Sequence, residues 1–300
     1  SEAAVSKILR RSDTVMAVGA QSSLTGGATP KGETLVSTER MTVIGDWEEA
    51  AVTVGSGLVL ANLKTAMVER GQYYPPVPTF DGATVGGTVA TNAAGAATFK
   101  YGATRDWVDA LSLVLANGEV LDIERGRTFA SDEGFFEIET GSDAAIRVTL
   151  PSYTMPEVPK HSAGYFVRPA MDLIDLIIGA EGTLGIVTSV KLSLAVPRPD
   201  WFVALLPMAG EAAALTLNHE LREASRSGHV DIAAIEYMDR RSLELVASYD
   251  RSRLAPLPAG TGAALLVQAE VPGGTGREQA AAELAADGGS PLAELGQILR

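Results

Sequence analysis

From Gly82 to Phe99 the chain reads GATVGGTVATNAAGAATF, a run of 18 positions without a charge. In ordinary soluble domains about a quarter of residues are charged, so a run of this length implies a surface that is covered by something. Its length is that of a bilayer span, yet its glycines, its threonines and Asn92 lack the apolar content that lipid demands. No other window of that length is strongly apolar. The opening SEAAVSKILRRSD lacks the apolar core of a signal peptide, and no integral membrane segment is expected. The uncharged run must lie against a surface other than lipid.

Two more segments share this small-residue character, GAQSSLTGG at 19–27 and GAEGTLGI at 179–186. Glycine reaches positive φ cheaply and removes the Cβ that keeps a ligand away from the backbone, so such loops can aim successive N–H groups at an anion. That route needs no Lys or Arg. It matters here because 24 basic residues stand against 37 acidic ones, a net charge of -13. This balance opposes nucleic acid and anionic lipid, and no basic run offsets it. An anionic ligand would therefore be held by oriented amides and by hydroxyls such as Ser22, Ser23 and Thr25. Taken singly, each loop also reads as a tight turn in a compact sheet.

The chain has no cysteine. Disulfides, thiolate metal sites and cysteine nucleophiles are thereby excluded, and a reducing compartment, the cytoplasm, is expected. Any redox chemistry must come from a bound cofactor. No G-x-x-x-x-G-K-[ST] and no G-x-S-x-G occurs. The string GSGLVL after the strand AAVTV places Leu60 where a dinucleotide fingerprint has its third glycine. His161, His219 and His229 match no local zinc spacing, and no metal is expected.

At 300 residues the chain can form one large domain or two smaller ones. A short helix opens it, followed by strands at Thr14 to Val18, TLVS, MTVI and AAVTVGSG. Leu60, Leu63 and Met67 fall on one helical face, with Gly71 as its C-terminal stop. Asn117-Gly118 between apolar runs predicts a β-hairpin. DLIDLIIGA reads as a short helix and TLGIVTSVKLSLAV as a long strand with alternation in its second half. After Pro197 and Pro199 come strand WFVALLPM, a helix over 211–226, strand AAIEYM, helix DRRSLELVA, strand ALLVQAEV and helical residues to the end. We place a boundary near Pro197 to Asp200. The fold class is α+β, and the second part reads as a split β-α-β unit of ferredoxin-like type.

Together and in this order, the three small-residue segments resemble the FAD-binding domain of the vanillyl-alcohol oxidase and p-cresol methylhydroxylase (PCMH) superfamily, nearest to FAD-linked oxidases of the glycolate oxidase and D-lactate dehydrogenase group. VGAQSSLTGGA matches the pyrophosphate loop, which implies cofactor contacts from Val18, Gly19, Ala20, Gln21, Ser22, Ser23 and Leu24. YYPPVPTFDGATVGGTVATNAAG matches the segment running beside the flavin. It implies contacts from Pro76, Thr79, Ala83, Thr84 and Val85, then Gly86, Gly87, Val89 and Ala90, then Asn92 and Gly95. KYGATRDWV closes that segment with Tyr101 and Gly102. AGYFVRPAMDLIDLIIGAEGTLGIVTSVKLSL matches the third segment and implies Glu181, Gly182, Gly185, Ile186 and Val187.

The resemblance implies a two-subdomain PCMH-type FAD-binding domain over residues 1–198 and a partial ferredoxin-like cap, or substrate, domain over 199–300. It also implies oxidation of a small hydroxy acid or related alcohol, with hydride passing to flavin N5 and a base taking the hydroxyl proton. The cofactor is FAD, and it is dissociable because the first loop has no histidine and the chain no cysteine. The partners are a small-molecule substrate and an unspecified electron acceptor. The family carries a glycine where this chain has Gln21, whose amide can donate instead. The family also has a strand before the opening helix and a C-terminal segment bearing substrate contacts, neither of which is in the sequence, so no catalytic residue is assigned. Arg105-Asp106 reads as an ion pair that fastens the loop, with orientation of a substrate carboxylate by Arg105 as the other reading. Tyr73 and Tyr74 either line the crevice or pack behind it. Two alternatives stay open: a flavin-binding module without turnover, and an NADPH-dependent or non-redox member of the same fold.

Overall fold

The computed structural model describes residues 1–76, 78–141, 145–158, 160–249 and 256–300. Val77, within the second matched segment, lies outside the described residues. Two compact units form, one from Ser1–Gly95 and Gly102–Val196, the other from Ala96–Tyr101 and Pro197–Arg300.

The first unit starts with α1 (Glu2–Leu9), β1 (Val15–Val18) and β2 (Thr34–Ser37). β1 and β2 pair in parallel. Parallel neighbours cannot be joined by a tight turn, so the glycine-rich stretch after Val18 is the crossover between them. β3 (Ile44–Trp47), β4 (Ala51–Gly55), α2 (Leu60–Val68) and α3 (Val85–Ala90) follow. The predicted strand MTVI is displaced: Met41 to Val43 precede β3, which begins only at Ile44. Met41 to Val43 still lie against the partner segment, with Gly55 N donating to Val43 O and Gly57 N to Met41 O. The glycines of the GSG string permit this approach, because a Cβ on Gly55 would meet the Met41 carbonyl oxygen at 2.3 Å and one on Gly57 would lie 1.8 Å from the Thr38 carbonyl oxygen.

Beyond α4 (Thr98–Tyr101), which belongs to the second unit, the first unit resumes with β5 (Val108–Val114), β6 (Val120–Glu124), β7 (Phe135–Ile138), β8 (Ile146–Thr149), α5 (Leu173–Ile177) and β9 (Ile186–Ser193). The Asn117-Gly118 turn joins β5 to β6 antiparallel, with Gly118 at φ +79°. Helix α1 grips that turn: Ser6 Oγ donates to the Gly118 carbonyl at 2.5 Å and Arg10 Nε to that of Asn117 at 3.1 Å. The main sheet has the order β3-β4-β9-β5-β6. β9 is its central strand, and burial alternates along its whole length, further than the sequence pattern indicates.

The core under this sheet takes Val52, Val54, Val190 and Leu192 from strands, Leu60, Leu63 and Met67 from α2, Val85 and Val89 from α3, and Ile174 and Ile177 from α5. Tyr74 is 1% exposed within it, so this ring packs the interior. Tyr73 instead bridges to Ala195 through its backbone. A smaller cluster unites Val5, Val36, Val114 and Ile186, with Ala17 against it.

The second unit contains α4, β10 (Asp200–Met208), α6 (Glu211–Arg226), β11 (Ile232–Asp239), α7 (Arg240–Tyr249), β12 (Ala263–Val271), α8 (Arg277–Ala285) and α9 (Pro291–Leu299). Its sheet runs β10-β12-β11, with β12 antiparallel to both neighbours. Helix α6 thus connects two strands with a third inserted between them, the split β-α-β arrangement. Ala214 and Leu221 of α6 share a core with Leu265 and Val267 of β12 and Leu292 and Leu295 of α9. In the same unit Tyr101 Oη donates to both Glu270 carboxylate oxygens at 2.7 and 2.8 Å, and Lys100 Nζ reaches Glu270 and Asp231 at 2.5 Å each.

Candidate cofactor site

Three stretches far apart in sequence line one crevice of the first unit. Ala17, Val18 and Gly19 come from the end of β1, Gly86, Gly87 and Ala90 from α3, and Glu181, Gly182, Gly185, Ile186 and Val187 from the entry to β9. Each approach depends on a missing side chain. A Cβ on Gly19 would meet Thr84 Oγ1 at 2.3 Å, and one on Gly185 would meet the Val114 carbonyl oxygen at 2.8 Å. Glu181 and Gly182 both hold positive φ, at +53° and +75°. The Glu181 amide donates to Ala90 O at 2.7 Å, fastening the third stretch to α3. Glu181 Oε2 lies 3.6 Å from where a Cβ on Gly27 would stand, so the third stretch also flanks the first loop.

The capacity to bind an anion differs between the two amide-rich ends that meet at the crevice. In the first turn of α3, Val85 N donates to Leu58 O, Gly86 N to Ser56 O, and Gly87 N to Thr84 Oγ1, the helix cap, at 3.4 Å. That helix end is internally satisfied. By contrast, the amides of Gly19 to Ser23 find no acceptor among the described residues. The loop is exposed through Gly27. Gln21 holds φ +50°, the left-handed region where a glycine is at ease. Its Nε2 donates to Ala28 O at 2.7 Å, which ties the loop to itself instead of extending a donor outward. Ser23 and Thr25 hydroxyls bond each other at 2.9 Å.

Other expected contacts take different places. Ala83, Val85 and Val89 are buried in the main core, and Thr84 is the cap of α3. Asn92, at φ +44° and 5% exposed, is a bracket: its Oδ1 accepts from Arg105 N at 2.9 Å and its Nδ2 donates to His161 O at 3.1 Å. Pro76 is buried and Thr79 exposed, neither lining the crevice. Ala20, Ser22 and Leu24 stand exposed in the loop, Leu24 fully so. Gly95 ends the first stretch of this unit, and Gly102 makes a turn at φ +73°. Tyr101 belongs to the second unit, on Glu270.

Arg105 and Asp106 do not form the expected ion pair with each other. Asp106 accepts from the Ala103 amide at 2.8 Å, while Arg105 pairs with Asp175 at 3.1 Å and donates to the Asp175 and Ile178 carbonyls. Adjacent side chains on a 3₁₀ turn point apart, so each finds a longer-range partner. Burial lowers the affinity of the Arg105 guanidinium for its proton, and Asp175 opposes that shift. Asp175 also receives Arg125 at 3.2 Å. This Arg-Asp-Arg bracket was invisible locally, since its members are scattered along the chain. The lining residues Thr38, Ile177, Ala180 and Leu184 likewise carry no motif.

Apart from Thr38 and Glu181 the crevice is lined by small and aliphatic residues, beside a loop of open amides, and a Cβ on Gly87 would meet nothing nearer than Thr84 Oγ1 at 3.1 Å. A flat, uncharged ring against glycine backbone and a diphosphate on loop amides suit that chemistry. Among the described residues no group of three or more His, Asp or Glu could hold a metal. No helix of the described residues is long and apolar enough to cross a membrane.

The fold is shared with a solved enzyme. Two crystal forms of alkyldihydroxyacetonephosphate synthase align with TM-scores of 0.63 and 0.62 at 19% identity, covering 90% of this chain and 45% and 48% of theirs. Residues 1–124 match the family model described as FAD binding domain. D-lactate dehydrogenase of Archaeoglobus fulgidus is 30% identical over 229 residues, 76% of this chain and 42% of that protein. The glycolate oxidase component GlcD of Bacillus subtilis is 30% identical over 230 residues, 76% of this chain and 39% of that protein. D-lactate dehydrogenase of Anaerostipes hadrus is 35% identical over 191 residues, 63% and 32% of the two chains. The chain thus spans between 32% and 42% of the length of these curated relatives.

Proposed function

We propose that the crevice between β1, α3 and β9 holds dissociable FAD in an oxidoreductase that oxidises a small hydroxy acid, with electrons passing on to a separate acceptor. The observation that carries this is the meeting of three separate small-residue stretches on one crevice, whose lining has Glu181 as its single ionisable residue, beside a loop whose amides have no acceptor among the described residues. The relatives' names supply the substrate class. When bound, FAD supplies a two-electron acceptor for the substrate C–H bond. The chain's own contributions are definable. Amides of Gly19 to Ser23 hold the diphosphate, Gly86 and Gly87 admit the ring system close to backbone, and Ile186 and Val187 exclude water from its edge. We read residues 1–198 as the FAD-binding domain, residues 199–300 as part of a cap over the substrate, and the cytoplasm as the compartment.

The test is an absorbance spectrum from about 300 to 550 nm, then acid precipitation and identification of what is released. Flavin bands with FAD free in the supernatant are expected, and bleaching by D-lactate, glycolate or a related hydroxy acid would establish turnover. Protein that stays colourless after incubation with FAD would overturn the assignment. At the residue level, Gly87→Val should abolish FAD retention with only a small loss of fold stability. Gly86→Ala should instead cost about 1–3 kcal/mol of stability, because its Cβ would meet Ser56 Cβ at 2.6 Å and Ser56 O at 2.9 Å. Urea melts beside FAD content per chain separate the two, and a Gly87→Val protein with stoichiometric FAD would show that the second stretch lies elsewhere.

A further inference from the structure

A second pocket of the first unit concentrates positive charge in a chain whose net charge is -13. Arg105, Arg125, Lys160 and Arg168 line it against only two carboxylates, Asp106 and Asp175. Both carboxylates are already engaged. Asp175 takes Arg105 and Arg125 at 3.1 and 3.2 Å, and Asp106 accepts from the Ala103 amide. Lys160 and Arg168 have no carboxylate partner among the described residues. His161 also lines the pocket, and its Nε2 is buried without a hydrogen bond in the described structure. A buried polar nitrogen of this kind ordinarily has a hydrogen-bonding partner.

The pocket is also built rigidly. Phe166, 8% exposed, carries the Arg105 guanidinium over its ring at 4.2 Å and that of Arg168 at 5.0 Å, while the His161 ring meets it edge-on at 5.6 Å. The floor is therefore fixed by Arg105, whose chain is held by Asp175 and by the Asn92 bracket. Lys160 and Arg168 are exposed at this pocket, while the imidazole Nε2 of His161 is buried in its wall. The pocket's lining shares no residue with that of the crevice proposed for the cofactor.

We infer that this pocket is a separate anion site for a compact dianion, a phosphate or a small dicarboxylate, with Lys160 and Arg168 as its charged ligands and His161 in its wall. A dianion suits two uncommitted cations, and the stacked Arg168 guanidinium presents a planar fork to either oxyanion. An acidic chain repels anions at long range, so binding here must be local and saturable.

The test titrates the full chain with inorganic phosphate and, separately, with malonate, at matched ionic strength set with chloride. It follows heat of binding and the chemical shifts of His161. Saturable binding of at least one of them is expected, with the shift localised to His161. Lys160→Ala with Arg168→Ala should weaken it by about tenfold or more while leaving urea stability without ligand and FAD content unchanged. Saturation by phosphate alone identifies a phosphoryl ligand, by malonate alone a dicarboxylate, and by both in competition the shared site. Non-saturable binding, or affinity unaltered in the double variant, would overturn the inference. His161→Gln is the second variant, expected to weaken binding less and to fold normally. FAD content is read independently, so failure here leaves the cofactor assignment untouched, and the reverse holds as well.

Discussion

Tyr74 shows how burial at one residue sets a property of the folded state. Its ring lies in the main core, its hydroxyl makes no hydrogen bond among the described residues, and burial drives the phenol well above its ordinary value, with nearby Thr104 pulling weakly the other way. A phenol that ionises less readily folded than unfolded stabilises the fold fully below the unfolded value of about 10, and that contribution is lost as pH rises beyond it. Tyr74→Phe should flatten the alkaline loss of stability in urea melts between about pH 9 and 11, with little change at neutral pH. The pair Tyr73-Tyr74 was legible as aromatic, but which ring faced inward was not, because burial there depends on α2 and α3 coming together. Gln21 is similar. Its departure from glycine was visible in sequence, and its left-handed φ with the bond back to Ala28 was not.

Among elements, those with strong local signals were legible and those defined by partners were not. Asn117-Gly118 announced the β5–β6 hairpin, and the spacing of Leu60, Leu63 and Met67 announced α2, because turn chemistry and helical periodicity are short-range properties. The sequence reading places no strand at β7 or β8, which pair antiparallel with each other in a sheet of their own, apart from the main sheet. The parallel pairing of β1 with β2 was also hidden, although it explains why the glycine-rich loop must be long. Gly118 offers a sharp test of the hairpin and its grip by α1. At φ +79°, an added Cβ would meet Arg10 Nε at 2.5 Å and Ser6 O at 2.9 Å. Gly118→Ala should cost about 2 kcal/mol, combining left-handed strain with displacement of α1. A urea midpoint unchanged from the parent would show that the turn relaxes freely.

Across the molecule, the stretch Ala96–Tyr101 completes the second unit although it interrupts the first in sequence. Its anchor is Glu270, whose side chain is 7% exposed and is held by Lys100 and Tyr101. A buried carboxylate stripped of its donors is costly. Lys100→Met with Tyr101→Phe should therefore destabilise the chain by about 3 kcal/mol, and adding Glu270→Gln should recover part of that loss. Equal stabilities for the double and triple variants, measured by urea denaturation, would show that Glu270 does not depend on these donors. The uncharged run from Gly82 to Phe99 was legible as something to be covered. Its division between core, crevice and second unit required the tertiary structure.

The place of β9 in the main sheet has a consequence for synthesis. The strand that divides β3-β4 from β5-β6 is the last of the five to leave the ribosome. Until it emerges, the nascent chain carries two β-pairs whose inner edges, along β4 and β5, wait unpaired for the same late strand. Open edges of that kind template wrong pairing between neighbouring chains. The vulnerable interval in making this protein is therefore the time taken to translate from β5 to β9, and slower elongation over that stretch prolongs the exposure.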